Sequence, residues 1–245
     1  VAHSNVPRRT SRSRILRFDA VQRTAHWANA TLFLVLILTA LPLYFSSIER
    51  VVGRHVLIAQ IHVWAGVALP VPLLVSLAGP WGARMRRDVR RINRWTRLEL
   101  RWLWSFGTLR GLEKDKFNPG QKLNAIFTGG AIVVLLGSGI VMKWFGLFPL
   151  SWRSGSTFVH EVLAFVLVFV VVGHVAMALT HRDSLRSMVR GWVSVEWARR
   201  NAPVWLREEA GVRGGPGTSG ARRGGSVATP PTVVSRAVPT TLRDP

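Results

Sequence analysis

The chain has 245 residues, 48% of them hydrophobic, yet its formal net charge is +21. A soluble basic protein rarely combines so apolar a composition with so much charge, so the two must occupy separate stretches. The absence of cysteine excludes cysteine-ligated iron–sulfur clusters, covalent c-type haem, disulfides and thiolate zinc sites; a redox cofactor here is held by histidine or methionine, or is a non-covalent flavin or quinone.

Residues 1–16 read as a basic N-terminal tail. The first apolar stretch, about 24–46, is too long for a signal-peptide core and no small-residue cleavage site follows it, so it reads as a retained membrane span. Three more stretches reach the length of about 20 residues that a helical span needs: about 56–79, 123–142 and 156–180. Between the second and third spans, residues 81–122 are strongly basic. Their centre, 89–106, interleaves arginine with tryptophan and leucine (Arg94-Trp95, Leu98, Arg101-Trp102-Leu103-Trp104), the pattern of an amphipathic helix lying on a membrane surface. Residues 183–210 read as polar helix, and 211–245, rich in Gly, Pro, Ser, Thr and Arg, as a disordered tail. The expected fold is therefore all-α: an integral membrane four-helix bundle over 17–210, with a cytoplasmic amphipathic segment and a disordered C-terminal tail.

Lys and Arg are distributed unevenly between the two ends of that bundle. Residues 1–25 hold six, 81–122 twelve and 181–210 six, against only Arg50, Arg54, Lys143 and Arg153 in the other two loops. The basic end is expected to be cytoplasmic, with both termini inside a plasma-membrane protein. This placement accounts for the charge without nucleic acid, because the arginines interrupt membrane-length apolar runs.

Histidine is uncommon inside hydrocarbon, so His26, His62, His160 and His174, all in the spans, call for an explanation. Alternating topology puts His26 near the basic end. His62, six residues into the second span, lies about 9 Å below the opposite surface. His160 lies near that surface too, and His174 lies about 21 Å deeper on the same helix. Fourteen residues at roughly 100° each fall only about 40° short of four turns, so His160 and His174 face the same way. By depth His62 matches His160, and His26 matches His174. Two such pairs are what two bis-histidine haems require. Singly, a membrane histidine is more often a helix-to-helix hydrogen bond, a proton relay or an interfacial residue. His181, in phase with His174 but seven residues beyond it, competes as a partner for His26. His55 and His3 read as bystanders.

At these residues the chain resembles the gamma subunit of membrane-bound formate dehydrogenase, within the wider group of bacterial di-haem cytochromes b. The matching pieces are Arg17-Phe18-Asp19, Arg23-Thr24-Ala25-His26-Trp27 and His62-Val63-Trp64-Ala65-Gly66. They continue with Lys116-Phe117-Asn118-Pro119-Gly120-Gln121-Lys122, the spacing of His160 and His174, and Gly191-Trp192-Val193 to Trp197-Ala198. The likeness covers about residues 14–209, and the Lys-Phe-Asn-Pro-Gly-Gln run is its most specific part. The resemblance implies two haem b groups, on His62/His160 and His26/His174, and a quinone (menaquinone) site at Asn118, Gly120, Gln121 and His174. It also implies an iron–sulfur beta subunit and a molybdenum or tungsten catalytic alpha subunit as partners, so that formate chemistry belongs to another polypeptide. The bland reading of Asn118 and Pro119 is a helix cap and first helical residue, which is compatible with a quinone role. Arg17 and Arg23 suit either haem propionates or plain orientation charges. Arg200-Asn201-Ala202-Pro203 departs from the His-rich version common in relatives, and the tail after Gly211 has no family counterpart. Rival readings are the cytochrome b subunit of a nickel–iron hydrogenase or thiosulfate reductase, and, from another class, a haem-free transporter or proton channel.

Overall fold

Four helices long and apolar enough to cross a membrane dominate the computed structural model, which describes residues 13–109 and 111–213. The first is α1 (Ala20–Tyr44). A short α2 (Ser46–Val52) follows it. The second crossing is divided into α3 (His55–Ala68) and α4 (Val71–Ala78). The third is α7 (Pro119–Lys143) and the fourth α8 (Leu150–Thr180). Between the second and third crossings lie α5 (Ala83–Ile92) and α6 (Arg97–Trp104). After the fourth come α9 (Arg182–Arg190), α10 (Val195–Asn201) and α11 (Pro203–Arg213). The expected disordered tail, apart from the few residues that continue α11, lies outside the described residues, as do His3 and residues 1–12.

The spans begin earlier than apolar content alone indicates because polar caps extend them. Asp19 caps α1 in a reciprocal box with Gln22, and Asn118 caps α7 in the same way with Gln121. The second crossing breaks at Leu69-Pro70 because Pro70 and Pro72 supply no backbone N–H to the turn before them. Leu69 N–H reaches back to Gly66 instead, and Leu74 N–H restarts the ladder on the Pro70 carbonyl. The faces the spans turn outward are apolar: Leu38, Val133, Phe165 and Phe169 are exposed, Phe169 by 67%. Such a surface fits lipid rather than water, and the chain is a multi-pass membrane protein.

One expectation needs correction. The amphipathic stretch 89–106 is two helices rather than one. Thr96 caps α6 in a box with Glu99 and forces a break after Ile92. The all-α four-helix reading stands, and beside the bundle lies a short strand pair: β1 (Arg14–Leu16) runs antiparallel to β2 (Trp192–Ser194). Residues 14–16, read as tail, are therefore tied to the segment beyond the fourth span. Gly191 makes the junction possible. Its carbonyl accepts the N–H groups of Arg17 (2.8 Å) and Phe18 (3.1 Å), its φ is +86°, and a Cβ there would stand 2.7 Å from the Phe18 carbonyl oxygen. Ile15 and Val193 from this ribbon pack with Ala198, Ala202 and Trp205 into a small core at the basic end.

Trp205 is 1% exposed in that core. Replacing it by alanine is expected to cost about 3–5 kcal/mol and to lower the detergent-solubilised protein's unfolding temperature, measured by thermal proteolysis. An unchanged temperature would mean that this core does not hold the basic end together.

Candidate functional site

Helices α1 and α3 pack side by side, as do α7 and α8, while α8 makes almost no close backbone contact with α1 or α3. Across that opening the histidines meet two by two. The ring centres of His62 (α3) and His160 (α8) are 6.5 Å apart, and those of His26 (α1) and His174 (α8) are 6.2 Å apart. The rings in each pair are inclined by 61° and 56°. Two imidazole nitrogens bound to opposite sides of one metal ion, at about 2.0–2.1 Å each with the ring centre roughly 1.1 Å behind, put ring centres about 6.3 Å apart. Both pairs meet that spacing. Among the described residues no group of three or more His, Cys, Asp or Glu converges on a point. Each pair would thus offer a bound group two imidazoles.

Hydrogen bonding in the first pair engages Nδ1 of each ring. The Thr39 hydroxyl lies 2.9 Å from His62 Nδ1 and donates its single proton back to the Val35 carbonyl at 2.7 Å. In the tautomer that carries its proton on Nδ1, this hydroxyl accepts from it and Nε2 keeps an open lone pair. Ser138 does the same for His160: its hydroxyl donates to the Val134 carbonyl at 2.8 Å and lies 2.9 Å from Nδ1. The ring lies against α7 beside Gly139, where a Cβ would be in ordinary contact with His160 Cε1 at 3.4 Å. A metal-bound imidazole normally has such a partner on its other nitrogen, fixing tautomer and ring angle. The sequence reading missed Thr39 and Ser138, which nothing in the sequence sets apart from Thr24, Thr31 and Thr128 in the same helices. Near the second pair, Asn29, on the His26 side of α1, keeps a buried side-chain oxygen with no partner.

The remaining expected residues are distributed as follows. Asn118 Oδ1 accepts Gln121 N–H at 2.8 Å and Gln121 Oε1 accepts Asn118 N–H at 3.0 Å, so the bland capping role is real. Both side-chain amide N–H₂ groups are left over as donors. At Gly120 a Cβ would sit in ordinary contact with Asn118 Oδ1 (3.4 Å) and the Trp102 ring (3.9 Å). The turn is held from both sides by buried lysines that the sequence reading did not single out. Lys116 contacts Asp88 of α5, and Lys122 bonds Glu99 of α6 at 2.6 Å and the Arg94 carbonyl at 2.9 Å. Arg17 is spent on Ser187 (3.2 Å), Ser184 (3.4 Å) and the Lys116 carbonyl (3.2 Å), over the Trp197 ring. Burial lowers its pKa to about 10. Arg23 donates to the Val189 carbonyl at 2.6 Å. These bonds give both arginines structural work at the basic end. His181 turns away from the pairs onto the Met177 carbonyl and Thr180, and His55 pairs with Glu49 at 2.9 Å on an exposed surface.

A family model described as prokaryotic cytochrome b561 matches residues 17–191. Among characterised proteins, the chain is 25% identical over 213 residues to the formate dehydrogenase cytochrome b556 subunit of Haemophilus influenzae, covering 80% of this chain and 84% of that one. It is 26% identical to the formate dehydrogenase cytochrome b556(fdo) subunit of Escherichia coli K12, covering 80% and 94%. To the nitrate-inducible cytochrome b556(Fdn) subunit of the same strain it is 25% identical, covering 79% and 91%.

Ser138→Ala is expected to leave His160 Nδ1–H without its acceptor and to weaken retention of an iron porphyrin by about 10–100-fold. Haem quantified per protein after mild detergent washing measures this; wild-type retention would show that Ser138 does not orient the ring.

Proposed function

This chain belongs to the prokaryotic cytochrome b561 family, whose cofactor is haem b, and we propose that it is the membrane cytochrome b subunit of a formate dehydrogenase complex. In this reading it takes electrons from an iron–sulfur partner subunit at the end opposite the basic one. It delivers them to a quinone, menaquinone by its resemblance, at the basic end. The observation that carries the proposal is the pair of imidazole couples, each at the spacing one iron ion needs, at two levels of the same opening. The relatives named as formate dehydrogenase subunits support the complex, with the molybdenum or tungsten catalytic subunit as the second partner.

His62 and His160 would hold the outer haem, and His26 and His174 the inner one. Bound there, haem iron supplies reversible one-electron chemistry at two depths. The protein's own contribution is orientation and exclusion of water. Thr39 and Ser138 keep Nε2 of the outer imidazoles unprotonated and aimed across the opening. The apolar spans keep water from both levels. At the basic end, Asn118 and Gln121 offer amide donors to a quinone carbonyl on a turn clamped by Lys116 and Lys122, with Gly120 giving close access to the backbone and His174 nearby in depth. The excess of Lys and Arg at this end supports placing it, and both termini, on the cytoplasmic side of the plasma membrane. Reduction there would take up cytoplasmic protons and move charge across the bilayer. A haem-free transporter, the rival of another class, draws no support from the family match.

Two substitutions separate the parts of this proposal. His62→Ala or His160→Ala should remove one haem per chain, measured as pyridine haemochrome, and leave the second loaded; loss of neither contradicts the pairing. Gln121→Leu should slow quinone reduction while both haems stay bound, and unchanged kinetics would take Gln121 out of the quinone site.

A further inference from the structure

Behind the Asn118–Gln121 turn lies a string of ionisable side chains whose carboxylates, Glu208, Asp115 and Asp88, are progressively more buried. Glu208, 53% exposed at its side chain, contacts Arg91 of α5. The same guanidinium bonds Asp115, 21% exposed, at 2.7 Å. Asp115 also accepts the Lys116 backbone N–H at 2.7 Å. The Lys116 ammonium, 5% exposed, then contacts Asp88, 8% exposed. Asp88 in turn accepts from Gln22 Nε2 at 2.5 Å. Gln22 sits on α1 one turn before His26, and Lys116 lies two residues before Asn118. The carboxylates therefore run from solvent to Asp88, which is one hydrogen bond from α1, and Arg91 and the Lys116 backbone hold them in place.

We propose that Asp88, held between Lys116 and Gln22, is the innermost carboxylate of a proton-entry route from Glu208 and Asp115 to the quinone site. The inference rests on the quinone reading above. Reducing a quinone to the quinol takes two electrons and two protons. The electrons come one at a time from the reduced iron–sulfur partner by way of the inner histidine level. The protons must come from water, and only O–H bonds on the two quinone oxygens are formed. Each proton Asp88 gives up is replaced from water, with Asp115 and Glu208 as the carboxylates that stand between it and solvent. The groups facing Asp88 suit this traffic. Lys116, Gln22 and Arg91 stabilise its anion, with Arg17 further off. Burial pushes the Asp88 carboxyl up and the Lys116 ammonium down, against their mutual attraction, so the proton is less firmly assigned to either than at the surface. An ion pair serving packing alone has no need of the graded carboxylates leading to it, and replacing such a pair by apolar groups is often stabilising.

The test uses the full-length, haem-loaded protein, chemically reduced and mixed with either a short-chain naphthoquinone or ferricyanide, which takes one electron and no proton. Asp88→Asn should slow haem reoxidation by the naphthoquinone at least about tenfold, more severely as pH rises, and leave ferricyanide oxidation at the wild-type rate. Added acetic acid should restore the quinone rate, which it would not do for misplaced packing. Gln22→Leu, which keeps the ion pair, should act in the same direction and decides the matter if Asp88→Asn does not assemble. Wild-type quinone rates in these variants, equal slowing with both oxidants, or no rescue by acid would overturn the route. Slow quinone reduction in Gln121→Leu beside normal rates in the Asp88 and Gln22 variants would overturn the route and leave the quinone site standing. A normal rate in Gln121→Leu would count against that site instead.

Discussion

Four imidazoles inside an apolar slab are the constraint around which the bundle is arranged. Each is a polar ring in a medium that offers no solvent partner, and the spans are too apolar to neutralise that cost by themselves. One helix, α8, carries half of the set. Its fourteen-residue interval brings one ring to His62 of α3 and the other to His26 of α1, while His160 also keeps a bond to Ser138 of α7, the neighbour along which α8 packs. The opening between the helix pairs is the geometric result. Had the interval been shorter or longer by two residues, one ring would have turned through about 200° and faced lipid.

The basic end answers a different problem. Arginine and lysine there do more than orient the chain. Arg17 joins the residues before α1, the segment before α7 and the start of α9 through one guanidinium. Lys116 and Lys122 bring α5 and α6 onto the mouth of α7. The short ribbon of β1 and β2 and the Trp205 core complete the assembly. Most of the tightly packed apolar side chains of this small core lie outside the spans, where water supplies a hydrophobic drive that lipid does not.

Length and apolar content revealed the four crossings, because a membrane span is the least context-dependent element a chain can encode. The pairing of His62 with His160 and of His26 with His174 was also legible, since depth and helical phase are arithmetic on residue numbers. What stayed hidden depended on partners distant in sequence. Asp88 and Glu99 take their place in the fold from Lys116 and Lys122, more than twenty residues away in the chain. Three-residue strands such as Arg14–Leu16 are too short to show a period. Thr39 and Ser138 carry no motif, and their meaning comes only from the ring they face. The break of 89–106 was, by contrast, written in Thr96 and Glu99, a capping box overshadowed by the alternation of arginine and tryptophan.

The length of α8 has a consequence of its own. Its 31 residues make a rod of about 46 Å, while the hydrocarbon layer is about 30 Å thick. Leaning alone would need an inclination near 50°, beyond the 0–40° that membrane helices adopt. Even at that limit about 7 Å, more than one turn, must stand clear of the hydrocarbon. The far end of the rod is anchored through α9, so the surplus emerges at Leu150, where Ser151, Trp152, Arg153 and Ser154 form a stiff post. A protein settling on that side of the membrane meets a preformed helical stub, whose height above the headgroups sets how closely the visitor can approach the uppermost pair of rings.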